Sequence, residues 1–206
     1  MHNLFVAVVA WLIGSVSFAV IVSTAMGLAD PRSYGSGNPG ATNVLRSGNK
    51  LAAVFTLVGD AFKGWLAVWL TQRFGAHFGL GEIAVAIAAV MVFIGHLYPA
   101  FFRFRGGKGV ATAAGVMLAL NPLLGVLVIL AWLVVAALFR YSSLAALIAA
   151  LCAPVFSVML RHVWPSDFPP VIMVAICIIS VLLIWRHRSN IGKLIGGTES
   201  RIGKKG

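Results

Sequence analysis

Three short segments of this chain gather residues suited to holding phosphate. The first is GSGNPGATNVLR, Gly35–Arg46. Its three Gly and one Pro within residues 35–40 make a tight turn that feeds a helix, and backbone N–H groups at such a turn bind anions. Gly37 and Gly40 lend backbone donors there. Ser36, Asn38, Thr42 and Asn43 add side-chain hydrogen bonds, and Arg46 adds a planar fork matched to phosphate. The second segment is GHLYPAFFRFRGGKGVAT, Gly95–Thr112, in which Gly106, Gly107, Lys108 and Gly109 precede a helical run. A Gly-rich turn with Lys at a helix start is again a phosphate site. It is not a Walker A loop, because Phe102 stands where Gly is required and Gly109 replaces Ser or Thr, so no nucleotide is expected. Arg103 and Arg105 read as topological anchors and His96 as a packed histidine near a helix end. The third segment is WRHRSNIGKLIGGTESR, Trp185–Arg201. His187 and Asn190 share a face if the preceding apolar run continues as one helix. His187 titrates near neutrality and is able to donate or take a proton. Glu199 is the only acid there and is expected to pair with Arg186, Arg188 or Arg201.

The elements that position these segments are apolar. Sixty per cent of the 206 residues are hydrophobic and 10% are charged, against about 25% charged in an ordinary soluble domain. Mean hydropathy is +0.97. So few charges cannot clothe a soluble globule; the chain reads as an all-α, polytopic integral membrane protein forming a single membrane domain over residues 1–206. In a soluble chain a net charge of +11 would suggest nucleic acid. Here the basic residues lie between apolar runs, where they report topology and anionic partners. Cys152 and Cys177 fall inside apolar runs and read as buried small hydrophobes; no disulfide and no metal site is expected.

Leu4–Ala29 carries no charge and reads as an uncleaved first span. Further spans are expected at Leu51–Thr71, Ile83–Phe102, Leu144–Leu160 and Val171–Trp185. Asp60 and Lys63 sit inside the second, at i and i+3, where they pair and support the site from below. Gly109–Phe139 is 31 uncharged residues, too many for one crossing and short for two, with Asn121-Pro122 as a turn signal. Charge decides the count. If this stretch is a two-helix hairpin and the N-terminus is outside, thirteen basic residues face in: Arg32, Arg46, Lys50, Arg103, Arg105, Lys108, Arg140, Arg186, Arg188, Lys193, Arg201, Lys204 and Lys205. Only Arg73 and Arg161 face out. A single crossing leaves seven inside and eight outside, against the positive-inside rule. Seven transmembrane helices are therefore expected, N-terminus out and C-terminus in, with all three polar segments on the cytoplasmic face.

SGNPGATNVLR at 36–46, GHLYPAFFRFRGGKGVAT at 95–112 and RHRSNIGKLIGGTES at 186–200 together resemble the bacterial acyl-phosphate:glycerol-3-phosphate acyltransferases, over the whole chain and in the same order. The resemblance implies transfer of a fatty acyl group from acyl phosphate to the sn-1 hydroxyl of glycerol 3-phosphate, giving lysophosphatidic acid and inorganic phosphate. It implies no cofactor and no metal, with the enzyme that makes acyl phosphate as a further partner. By the same resemblance Ser36 and Arg46 are an essential pair and Gly106–Gly109 with Lys108 is the glycerol-phosphate loop. His187 and Asn190 are active positions, Glu199 is a structural acid and Ser143 a further functional serine. Lys193 stands where Arg or Lys is expected.

The residues agree without it. An acyl phosphate is a mixed anhydride with a good leaving group, so its transfer needs positioning and charge neutralisation more than a strong nucleophile. No Ser-His-Asp set or paired carboxylates appear, which fits direct attack. The general base is either His187 or a phosphate of a bound substrate. The basic neighbours of His187 lower its pKa, which favours the phosphate and leaves His187 to hold substrate. His162 and Asp167 match the H-x4-D pattern of another acyltransferase group, but fall in an outer loop and are read as loop residues. A small transporter for glycerol phosphate or phosphate is the alternative; transporters show repeats and midplane sites, whereas here no repeat is evident, the polar motifs cluster on one face, and only Asp60, Lys63 and Asn121-Pro122 favour transport.

Overall fold

The computed structural model describes residues 1–203; Lys204 and Lys205, counted above among the inner charges, lie outside the described residues. All regular structure within them is helical. The N-terminal apolar run forms α1 (His2–Gly14) and α2 (Phe18–Ala25). The first polar segment contains the short α3 (Ala41–Val44), and α4 runs from Lys50 to Phe74. Then come α5 (Glu82–Leu97), α6 (Val110–Leu120), α7 (Pro122–Phe139), α8 (Ser142–Arg161), α9 (Pro170–Arg186) and α10 (Arg188–Ile195).

Five stretches are long and apolar enough to cross a membrane: His2–Ala25, Lys50–Phe78, Glu82–Phe102, Pro122–Phe139 and Ser142–Arg161. The bent pair α9–α10 makes a sixth. The expected seventh, α6, has 11 residues, about 16 Å at the helical rise, and so falls short of a full crossing. The hairpin within residues 109–139 is nevertheless present. Asn121 is extended (φ −156°, ψ 123°), its side chain caps Leu124 N–H at 3.0 Å, and Pro122 opens α7. That is what a residue before proline and a proline at the first helical position do.

Two breaks were not expected. The first span is interrupted at Ser15–Ser17, where Val16 O accepts a 2.6 Å hydrogen bond from Lys63 Nζ. The last span does not continue to Asn190; it bends by 56° at His187. No proline or glycine stands at that bend.

Small residues let the helices touch. A Cβ on Gly14 would meet Val92 O at 2.1 Å, and one on Gly95 would meet Trp11 O at 2.2 Å, so α1 and α5 are in backbone contact. Gly64 against Thr112 O (2.3 Å) and Gly115 against Ala61 O (1.9 Å) do the same for α4 and α6. Such close approach is how membrane helices associate without a hydrophobic drive between them. Large side chains point outward instead: Phe5, Leu138 and Val181 are exposed, as lipid-facing residues are. Cys177 is exposed and Cys152 half-buried; both were expected inside, but a lipid-facing surface accepts apolar side chains as readily as a core does.

The expected pair inside α4 is formed. Lys63 Nζ lies 2.8 Å from Asp60 Oδ1, and both side chains are 3% exposed. His96 Nδ1 sits 3.7 Å from the same oxygen and 3.1 Å from Thr112 Oγ1. The pair thus ties the break in the first span to the end of α5 and the first turn of α6.

Candidate active site

The three polar segments converge at one end of the bundle. Lys108, just before α6, donates to Asn190 Oδ1 on α10. Asn190 Nδ2 donates to Glu199 Oε1 at 2.7 Å, and Ser143 Oγ, in the first turn of α8, donates to the same oxygen at 2.7 Å. Arg46 reaches Ser200 Oγ in the same tail. Glu199 therefore joins the expected Lys108, Asn190 and Ser143 into one cluster. Its expected ion pair with Arg186, Arg188 or Arg201 is absent among the described residues. Arg186 is turned to the second loop instead, and Arg201 donates to the Tyr141 hydroxyl at 3.2 Å.

The second loop is closed on itself. Gly106 N–H donates to Leu97 O and Gly107 N–H to His96 O, each at 3.2 Å. Their carbonyls accept from Arg186 Nη2 at 3.1 and 3.0 Å. A Cβ on Gly106 would meet His96 O at 2.0 Å, so glycine is required for this approach. The expected donor role of the Gly106 and Gly107 amides is thereby corrected, because both already have carbonyl partners. Gly109 (φ +83°) caps α6 in a left-handed conformation and delivers Lys108 to the cluster. In the sequence Arg186 is given only a structural role, as a partner for Glu199; its place within the third segment is the one signal of its contact with the second loop.

The first loop is built around Asn43, 2% exposed. Its Nδ2 donates to Pro31 O (2.6 Å) and Tyr34 O (3.1 Å), and its Oδ1 accepts from Ser36 N–H (3.0 Å) and Arg46 Nη1 (3.4 Å). Asn43 therefore shapes the loop and has nothing left for a ligand, contrary to the expected binding role. Gly37 N–H goes to Tyr34 O and Gly40 N–H to Asn38 O, so these amides are also engaged within the turn. The Ser36 and Arg46 side chains remain at the exposed surface of the loop, and Thr42 Oγ1 meets Ser142 Oγ at 3.2 Å. Lys193 lies exposed in the last turn of α10, near enough to act on the Lys108 charge but with no side-chain hydrogen bond among the described residues.

Electrostatics follows from burial. Burial pushes the Lys108 ammonium down to about 8, with Lys193, Arg186 and Arg46 adding to the fall and Glu199 opposing it. Burial also pushes His187 down to about 4, helped by Lys108 and Arg186 and opposed by the Leu183 carbonyl and Glu199. His187 is therefore neutral at pH 7. Its Nδ1–H donates to Leu183 O at 2.8 Å, which leaves Nε2 as an acceptor. At the other end of the bundle, Asp167 accepts from Asn121 Nδ2 at 2.9 Å, consistent with a loop role.

A family model described as glycerol-3-phosphate acyltransferase matches residues 4–197. The chain belongs to that family. It is an acyltransferase with a multi-pass membrane fold. Among its relatives, the glycerol-3-phosphate acyltransferase of Paraburkholderia phymatum is 69% identical over 205 residues, covering 100% of this chain and 95% of that protein. The one from Burkholderia pseudomallei strain K96243 is 68% identical, covering 100% and 98%. The crystal structure of PlsY, an integral membrane glycerol 3-phosphate acyltransferase, in its glycerol 3-phosphate form superposes with a TM-score of 0.87 at 35% identity, over 98% of this chain and 96% of that one. Its lysophosphatidic acid form gives 0.86 at 34% identity, over the same shares.

Proposed function

We propose that this chain transfers a fatty acyl group from acyl phosphate to the sn-1 hydroxyl of glycerol 3-phosphate, at the end of the bundle where Lys108, Asn190, Ser143 and Arg46 meet. The hydroxyl oxygen attacks the acyl carbonyl carbon and the bond from that carbon to the phosphate oxygen breaks. The hydroxyl proton passes to a substrate phosphate, and lysophosphatidic acid and inorganic phosphate are the products. The observation that carries this reading is the Lys108–Asn190–Glu199–Ser143 cluster, assembled from three separate segments. Lys108 and Arg46 are the two cations there able to neutralise phosphate, and Ser36, Thr42, Asn190 and Ser143 orient it by hydrogen bonds. Asp60 and Lys63 support the second loop through His96. The test is phosphate release by the purified chain. Acyl phosphate with glycerol 3-phosphate releases phosphate and forms lysophosphatidic acid; a transporter releases none.

The proton is taken by a substrate phosphate, while His187 Nε2 accepts a hydrogen bond from the neighbouring sn-2 hydroxyl and so orients the glycerol moiety. A side chain that titrates at about 4 is a poor base at neutral pH, whereas a phosphate monoester loses its second proton near 6. His187→Gln should therefore keep at least a tenth of wild-type kcat, with the acid limb of the rate profile staying near pH ~6. A loss of ~10²–10⁴-fold with unchanged substrate binding would install His187 as the base.

The crossing number belongs to the same reading. With the short α6 counted, seven helices put the N-terminus outside and every polar segment in the cytoplasm, in accord with the positive-inside rule. Single cysteines at Lys50, Lys108 and Lys193 should then resist an impermeant thiol reagent in intact cells and react after permeabilisation. Labelling of any one from outside breaks the arrangement.

A further inference from the structure

A cavity of about 580 Å³ lies beside the loops but apart from the cluster. Its wall runs from Gly37 and Pro39 of the first loop to Phe102, Arg103, Arg105 and Gly106 of the second, with Arg32 and Phe101 beside them, and includes none of Lys108, Asn190, Ser143 or Arg46. Its cations are not equivalent. The Arg32 guanidinium is spent on Asp30, at 2.6 Å, and lies over the Phe102 ring at 5.6 Å. Arg103 and Arg105 make no side-chain hydrogen bond and no ion pair among the described residues, although both line the cavity.

The backbone that presents them is strained. Arg103 (φ 52°, ψ 37°) and Phe104 (φ 57°) are consecutive residues in the left-handed region, which side chains bearing a Cβ disfavour. The turn is held by Phe104 N–H to Pro99 O at 3.0 Å and Arg105 N–H to Phe102 O at 3.1 Å. It sends alternate side chains to opposite sides. Phe104 stacks on Trp11 (6.3 Å between centroids, 16° between planes), while Arg103 and Arg105 flank the cavity. Two positive-inside anchors would need no such geometry; any exposed loop would serve.

The geometry points to this cavity as a second phosphate site, which takes the headgroup of an anionic glycerophospholipid. Two unpartnered guanidiniums at one mouth suit a single phosphate, and basic pockets at helix ends bind anionic headgroups. The aromatic part of the wall selects a lipid over a free ion. Phe101 is 61% exposed at the end of an apolar span, where it can meet glycerol and acyl carbons that inorganic phosphate lacks. The site shares backbone of the first and second loops with the cluster but none of the side chains of Lys108, Arg46, Asn190 or Ser143.

The full chain in neutral detergent is titrated with phosphatidylglycerol, phosphatidylcholine or inorganic phosphate, and retained lipid is counted by native mass spectrometry. Phosphatidylglycerol is retained, phosphatidylcholine is not, and millimolar inorganic phosphate does not displace the lipid. The double variant Arg103→Gln/Arg105→Gln binds phosphatidylglycerol at least tenfold more weakly, with turnover in lipid-free detergent within twofold of wild type. Arg103→Lys/Arg105→Lys keeps the charge that sets topology but loses the forks. It binds at least threefold more weakly, and it carries the test if the glutamine variant does not fold. Equal retention by wild type and the lysine variant overturns the site. Equal retention of both lipids, or displacement by millimolar phosphate, overturns its assignment to an anionic lipid.

Discussion

Lys108→Ala is expected to lower kcat/KM by at least about 30-fold, which corresponds to ~2 kcal/mol of lost transition-state stabilisation. The side chain is half-buried and donates to Asn190, and its ammonium stands with Arg46 where two phosphates must be accommodated. Removal leaves Arg46 as the one cation of that pair to meet the developing negative charge of two phosphates. The same residue dictates an alkaline limb. Burial lowers its pKa from 10.5 to about 8, so the charged form dominates below that pH and is lost as pH rises through it. Wild-type rate should fall above pH ~8, and Lys108→Arg, which stays charged, should move that fall upward even if its absolute rate is lower. A rate profile flat from pH 7 to 10, or near-normal kinetics for the alanine variant, would remove Lys108 from the chemistry.

Asp60→Asn or Lys63→Met should each destabilise the protein by about 3–5 kcal/mol, because either leaves one buried charge without its partner. The pair is all but sealed from solvent, and loss of Lys63 also deprives Val16 O of its donor at the break in the first span. The double variant removes both charges and should recover part of the loss, as replaced buried pairs do. Thermal unfolding in detergent measures this. Additive losses in the double variant would mean that the two residues do not act as a pair.

Which parts of this were legible depends on where the cause lies. The break at Asn121-Pro122 has a local cause, since proline lacks an N–H and pushes the preceding residue out of the helix, so the chemistry of two adjacent residues announced it. The Asp60–Lys63 pair was legible for the same reason, being set by helical spacing. The gap at Ser15–Ser17 has a distant cause. The Gly14-Ser15 pair marks it only weakly; Lys63, 47 residues away, takes the carbonyl. The bend at His187 is similar, and it is why Asn190 reaches Lys108 by a route that periodicity did not foresee. Glu199 shows the limit most plainly. Counting charges pointed to arginine, whereas packing put Ser143 and Asn190 at its carboxylate and sent Arg186 to the Gly106 and Gly107 carbonyls. The Gly-rich loops were correctly seen as tight turns, but which of their amides stay free is a matter of loop closure that no residue list contains.

The shortness of α6 bears on depth. At about 16 Å it spans roughly half of a ~30 Å hydrocarbon layer, and its far end is moored by Asn121 to Asp167 in the loop between α8 and α9. The loop over residues 103–109 must then make up the remaining thickness, so Lys108 is delivered by loop backbone just ahead of the helix. On the function proposed above, the polar reactant is met by that loop, while an acyl tail can lie along the helices the loop joins. The stunted helix sets the level at which a hydrophilic and a greasy reactant meet.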